Sequence, residues 1–226
     1  MRKEELLERY EALGEERDFL AAQPLYEQAL AKAPDARRLN EYGYLLFAHA
    51  RRELRRAVEL YERAIALDPG YDKPHYQLIV ARAALQESEL PVRMYEQRLR
   101  ETPGEVREYR FLATAYLSAR VFERALAVAA AGLELAPDDA ALVAMEGEAK
   151  AGLGDPEGAL ADWRRALELE PADIGALYSS AFLLEREGRL AEAIEAWQGI
   201  IEWNESRGYL LQCEWPRQEL ERLGAA

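Results

Sequence analysis

Five of the ten prolines in this 226-residue chain fall on one period. Pro34, Pro69, Pro103, Pro137 and Pro171 follow one another at 35, 34, 34 and 34 residues. A fixed spacing of this size belongs to chains that stack one small supersecondary unit many times. The residues before each proline repeat as well: ERAIALDP, AAGLELAP and RRALELEP end three of the units. The repeat therefore constrains the fold before any other motif does.

Let the proline be position 32 of each repeat. Position 20 is then Ala22, Ala57, Pro91, Ala125, Ala159 and Ala193, and position 24 is Tyr26, Tyr61, Tyr95, Ala129, Trp163 and Trp197. With position 27 these lie at i, i+4 and i+7, one stripe of an α-helix. The first half of the repeat has its own stripe, with Tyr109, Leu112, Ala113 and Tyr116 at positions 4, 7, 8 and 11. Gly154 and Gly188 separate the stripes at position 15, a residue type suited to the left-handed conformation that ends a helix. Each repeat thus reads as helix A, a tight turn and helix B, closed by a proline that cannot continue the helix. Small residues at positions 8 and 20 let the helix axes approach, and the large residue at 24 fills the space between neighbours.

On these residues the chain resembles the tetratricopeptide repeat family, whose pattern places small residues at 8, 20 and 27, aromatics at 4 and 24, and proline at 32. The resemblance implies an all-α fold, a right-handed α-solenoid of antiparallel helix pairs. Six repeats are expected over 1–207, at about 3–36, 37–71, 72–105, 106–139, 140–173 and 174–207. A capping segment follows at 208–226, with Tyr209, Leu210, Leu211, Leu220 and Leu223 on its buried side. Pro216 suits the first turn of its helix.

Repeats one to three depart from the pattern. Leu39, Tyr42, Gly43 and Leu46 come one residue early in repeat two, and two extra residues near Ala50 and Arg51 restore the phase. A longer helix A or a wider turn is expected there. Repeat three carries Ile79, Arg82, Pro91 and Arg98 at positions 8, 11, 20 and 27, which predicts a late start for its helix B near Leu90 and a bend or loosening of the array. Pro24 predicts a shortened helix in repeat one.

Charge and composition narrow the function. The net charge is −13, with 19 Lys/Arg against 21 Asp/Glu in residues 1–113 and 10 against 21 in residues 114–226. Nucleic-acid affinity comes mainly from cations that neutralise phosphates, so a general nucleic-acid binder is excluded. No apolar run approaches the roughly 18 residues needed to cross a bilayer, and the charged N-terminus lacks a secretion signal, so a soluble cytoplasmic protein is expected. Two histidines, one cysteine and no catalytic or metal-binding motif predict neither an enzyme nor a cofactor or metal site. Cys213 reads as a small apolar residue of the cap. GLGDPEG at 152–158 is a turn between helices, because no strand precedes it and no Lys-Ser/Thr follows. RRELRR at 51–56, with Glu41, Glu53 and Glu59 nearby, reads as a solvated turn in preference to a contact for an anionic partner or lipid.

The family resemblance implies that helix A lines a concave face, with positions 2, 5, 9 and 12 pointing into it. These positions hold Asn40 and Tyr44, Lys73 and Tyr76, Arg107, Arg110 and Thr114, and Tyr178 and Phe182. Repeat five adds Ala141, Ala144 and Ala151 around Glu148. Aromatics flanked by Lys and Arg suit an extended peptide or helix that carries acidic groups. The family's Lys-Asn-Asn-Lys-Arg set for a C-terminal carboxylate is missing, since Glu41, Tyr44, Gln77, Val80, Phe111 and Thr114 stand at its asparagine positions. The expected function is a non-catalytic adaptor that holds a segment of a partner protein. Self-assembly into a homo-oligomer, or recruitment of substrate for an enzyme on another chain, are the alternatives.

Overall fold

The structure is a computed structural model that describes Tyr10 and residues 16–33, 35–171 and 174–224. Pro34 and most of the start of repeat one lie outside the described residues, as do the side chains of Leu210 and Leu211. The chain divides into two compact units, Met1–Glu87 and Ser88–Ala226. The division falls inside repeat three, between its two helices. All regular structure among the described residues is helical.

The first compact unit holds α1 (Glu16–Lys32), α2 (Ala36–Leu67) and α3 (Asp72–Ala84). Pro24 lies within α1 without shortening it, because Phe19, Ala22 and Tyr26 on either side are anchored in one buried cluster with Tyr10 and Leu45. Helix α2 starts at Asp35, whose side chain accepts the Arg38 N–H at 2.9 Å. It then runs without interruption for 32 residues, roughly 48 Å at 1.5 Å per residue.

That single helix replaces the helix–turn–helix expected of repeat two. Neither a wider turn nor an extended helix A forms; helices A and B are one element. The local reason is composition: between Gly43 and Pro69 the chain has no glycine or proline and is rich in Ala, Leu, Glu and Arg, which favour helix. RRELRR is accordingly mid-helix and not a turn. Packing changes with it. The position 20 and 24 residues are buried in the other five repeats, while Ala57 and Tyr61 of repeat two are only half-buried. They line an apolar groove of about 300 Å3 with Leu54 of the same helix and Tyr76, Val80 and Ala81 of α3.

The second compact unit begins with α4 (Glu89–Glu101), which starts near Leu90 as Pro91 requires. Three antiparallel helix pairs follow: α5 (Val106–Ser118) with α6 (Phe122–Leu135), α7 (Ala140–Leu153) with α8 (Pro156–Leu169), and α9 (Ile174–Arg186) with α10 (Leu190–Ser206). A short 3-10 helix (Leu210–Cys213) and α11 (Glu214–Arg222) end the array.

One turn geometry closes every A helix from repeat three onward. Gln86, Arg120, Gly154 and Gly188, each 34 residues apart, all have φ between 59° and 84°. The N–H of the next residue returns to a carbonyl five residues back, at 2.8–2.9 Å, in Glu87–Arg82, Val121–Tyr116, Asp155–Lys150 and Arg189–Leu184. This is the bond pattern of a helix stopped by a left-handed residue. Only two of the four are glycines, so Gln86 and Arg120 hold the conformation against their side chains. One period before Gln86 stands Arg52, in the middle of α2. GLGDPEG is this turn: Asp155 caps α8 by accepting the Gly158 N–H at 3.0 Å, and Pro156 opens the helix.

Close approach within a pair is visible at Gly147. A Cβ there would stand 2.7 Å from Trp163 Nε1 and 3.1 Å from the Ala159 carbonyl oxygen. The indole instead lies against α7 and donates to the Ala144 carbonyl at 3.1 Å. At the C-terminal end, Leu220 joins Ala181, Trp197 and Ile200 in one buried cluster, with Leu223 at its margin. Tyr209 was expected in this buried set and is 48% exposed. Arg207 covers the ring of its neighbour Trp203 at 4.1 Å, while Trp203 itself donates to the Pro171 carbonyl at 3.0 Å.

Candidate interaction surfaces

In the first compact unit the expected surface residues lie on two helices. Asn40 and Tyr44 are exposed on α2, Lys73 is exposed on α3, and Tyr76 is half-buried in the apolar groove already described. Tyr44 shares its face of α2 with Phe47 and four arginines, whereas the two-helix reading of repeat two puts Tyr44 on helix A and the arginines in a turn. The signal was present in the sequence as an i, i+3, i+4 periodicity running unbroken through 44–59.

In the second compact unit Arg107, Arg110 and Thr114 share a face of α5, but intramolecular contacts engage all three. Arg110 is paired at 2.9 Å with Asp139, whose other oxygen accepts the Leu142 N–H at the start of α7. Arg107 stands 3.6 Å from the Glu108 carboxylate. Thr114 returns its hydroxyl to the Arg110 carbonyl at 2.8 Å. The charge of Arg110, expected to face an acidic ligand, is met by Asp139, whereas Arg107 shares the single Glu108 carboxylate with Arg98. Arg110 does line a groove of about 610 Å3, shared with Asp138, Asp139, Ala141 and Glu170, but its other charged groups are carboxylates. On α7, Glu148 remains exposed, yet loss of hydration among the surrounding helices pushes its carboxyl above the ordinary range.

Tyr178 and Phe182 on α9 belong to an aromatic cluster. Tyr178 stacks on Trp215 of α11 at 5.5 Å, and Phe182 meets Trp197 edge-on at 5.2 Å. Burial raises the Tyr178 phenol above its usual range. Phe182 is 47% exposed and Trp215 43%, so the cluster reaches the surface. Trp215 lies in the first turn of α11, a helix with no counterpart among the repeats.

Cys213 is fully buried, its Sγ 3.7 Å from the Tyr209 carbonyl oxygen. Among the described residues no cluster of three His, Cys, Asp or Glu side chains is placed to hold a metal ion, and no helix is long and apolar enough to cross a membrane.

The tetratricopeptide repeat profile matches residues 7–72 and 144–202, more than half of the chain. It passes over 73–143, which holds the divergent repeat three and also repeat four, whose residues keep the pattern. No curated protein sequence matches the chain. Among solved structures, a thermophilic tetratricopeptide repeat protein of Thermus thermophilus is similar at 21% identity, covering 88% of this chain and 99% of that one with a TM-score of 0.59. A tetratricopeptide repeat protein from Parabacteroides merdae is similar at 15% identity, covering 98% and 93% with a TM-score of 0.53. These likenesses agree with the fold that the turns and buried stripes establish. With its helix pairs closed on a 34-residue period and the profile matched over most of its repeats, the chain belongs to the tetratricopeptide repeat family, and its fold is that of a protein-interaction scaffold.

Proposed function

We propose that the chain is a non-catalytic scaffold that holds a peptide or helical segment of a partner protein against the A-helix faces of its repeats. The observation that carries this reading is the exposure of large aromatic side chains on those faces. Tyr44 is 51% exposed and Phe182 47%, although burial is the usual fate of such residues in a packed array. Exposed aromatics are the common anchors of protein interfaces. Lys73 is an exposed cation on the A helix of repeat three, whereas Arg110 acts first as an internal tie to Asp139.

The test compares partner capture and subsequent affinity for the wild-type chain, Phe182→Ala and Lys73→Glu. Both changes are at exposed positions, and unchanged helical circular dichroism shows that loss of the Phe182 contact to Trp197 leaves the fold in place. A loss of about tenfold or more for either, the scale of an anchor truncation, supports the assignment. Wild-type affinity in both variants removes the A-helix faces from consideration.

A further inference from the structure

The long helix α2 carries a basic and aromatic stripe that the reading above does not use, apart from Tyr44. Tyr44, Phe47, Arg51, Arg52, Arg55 and Arg56 fall on one face and line a shallow groove of about 760 Å3. The fusion of the two helices of repeat two creates this face, because a turn near Arg52 would have split it. Phe47 is 58% exposed, and the Arg51 guanidinium lies over its ring at 5.7 Å.

The charge of the stripe is not met among the described residues. Arg51, Arg55 and Arg56 form no ion pair there, whereas Arg37, Arg38 and Arg82 of the same compact unit each pair with a carboxylate. Arg52 is engaged, donating to the Tyr10 carbonyl at 3.2 Å. Glu59 lines the far end of the groove without pairing with either neighbouring arginine. Like charges four residues apart oppose the helix that carries them. An outside carboxylate relieves that repulsion and takes the bidentate bonds for which a guanidinium is shaped.

Spacing identifies the complementary segment. Phe47, Arg51 and Arg55 follow at four-residue steps, about 6 Å each along the helix axis. In an extended peptide, side chains on one face recur every second residue, about 6.6 Å apart. We propose that this face of α2 binds a short acidic segment of a partner protein, in which an apolar side chain and two carboxylates occupy alternate positions. The apolar side chain rests on Phe47 and Tyr44, and the carboxylates meet Arg51 and Arg55. A short segment fits better than a long polyanion, because the stripe from Tyr44 to Arg56 spans only roughly 18 Å of helix at 1.5 Å per residue.

Fluorescence anisotropy with labelled synthetic peptides containing Phe-Ser-Glu-Ser-Glu, its reverse and its one-residue register shifts tests the proposal on the full chain. The expected result is saturable binding by at least one of the set, weakening as ionic strength rises from about 0.05 to 0.5 M because the contact is electrostatic. Arg51→Glu/Arg55→Glu should weaken it about tenfold or more, with Phe47→Ala and Arg51→Gln/Arg55→Gln also weaker than wild type. Lys73→Glu and Phe182→Ala should bind as wild type does, which separates this surface from the A-helix faces. Unchanged helical circular dichroism in the variants shows that folding is retained. Absence of saturable binding across the set, or wild-type affinity in both Arg51/Arg55 variants, overturns the proposal. So does tighter binding of single-stranded RNA, of phosphatidylserine vesicles or of a second copy in sedimentation velocity, if the Arg51→Glu/Arg55→Glu change abolishes it.

Discussion

Arg98 and Glu108 form a bidentate ion pair inside the second compact unit, Nε to Oε2 at 2.8 Å and Nη2 to Oε1 at 2.7 Å. Arg98 stands at position 27, where the repeat pattern has a small residue, and Glu108 is 1% exposed on the next A helix. The pair explains one departure of repeat three: a guanidinium replaces a methyl group, and the following repeat supplies its carboxylate. The bond to Glu108 holds the Arg98 guanidinium above its ordinary range. Removing Glu108 should be costly, because the half-buried Arg98 guanidinium loses its bidentate partner. Glu108→Ala is expected to lose about 1–3 kcal/mol in urea unfolding, the range for a charged hydrogen-bonding group left without its partner. Arg98→Ala/Glu108→Leu should lose clearly less, and equal losses would show that packing, not charge pairing, governs the site.

The turn at Gln86 predicts a gain in stability. Its φ of 64° is a conformation that glycine adopts without strain. Gln86→Gly should stabilise the fold by up to about 1 kcal/mol, the left-handed penalty less the entropy of a more flexible unfolded chain. The same change at Arg52, one period earlier but inside α2, should cost about 1 kcal/mol. Thermal unfolding of the two variants checks the opposite signs.

Gly147→Ala predicts a loss. The added Cβ meets the Trp163 indole and a backbone carbonyl, so α7 and α8 must separate or the ring must turn and lose its bond to Ala144. Overpacking of this kind costs about 1–3 kcal/mol, measurable as a lower urea midpoint with unchanged slope.

Burial raises the carboxyl of Glu146 above the ordinary glutamate range, with Asp162 adding to the shift and Lys150 and Arg165 opposing it. A carboxyl raised in the folded state binds its proton more tightly there than in the unfolded chain. Its contribution therefore favours the fold as pH drops from neutral through the raised value, and levels off below the unfolded value near about 4.3. Glu146→Gln should stabilise the fold at neutral pH and flatten the pH dependence of stability in that window. An unchanged slope between wild type and variant would place the shift elsewhere.

The C-terminal helix predicts an association phenotype. Leu220 closes the cluster of Ala181, Trp197 and Ile200. Deleting residues 208–226 leaves that apolar face open, and exposed patches of this kind promote self-association. Light scattering of the truncated chain should show a larger species; an unchanged mass would refute the capping role.

The 34-residue period, the packing stripes at positions 20 and 24, and the left-handed turn at Gly154 and Gly188 were all legible in the chain. Each depends on residues close in sequence, on helical periodicity and on the conformational limits of proline and glycine. The turns at Gln86 and Arg120 were less visible, because no glycine marks them and the long-range packing of helix pairs forces the conformation. Repeat two shows the converse. Its proline phase is intact, yet Arg52 stays helical, since local helix preference prevails where the small and aromatic residues Ala57 and Tyr61 find α3 instead of a helix A of their own.

Charge was the least legible property. Arg107, Arg110, Arg51 and Arg55 look alike in sequence, and only their neighbours in space separate them. Glu108 and Asp139 engage the first two, while no carboxylate among the described residues pairs with the last two. The sequence by itself determined the repeat and its helical face. The tertiary structure decided which breaks occur and which cations remain to meet a partner, because both depend on groups brought together from distant positions along the chain.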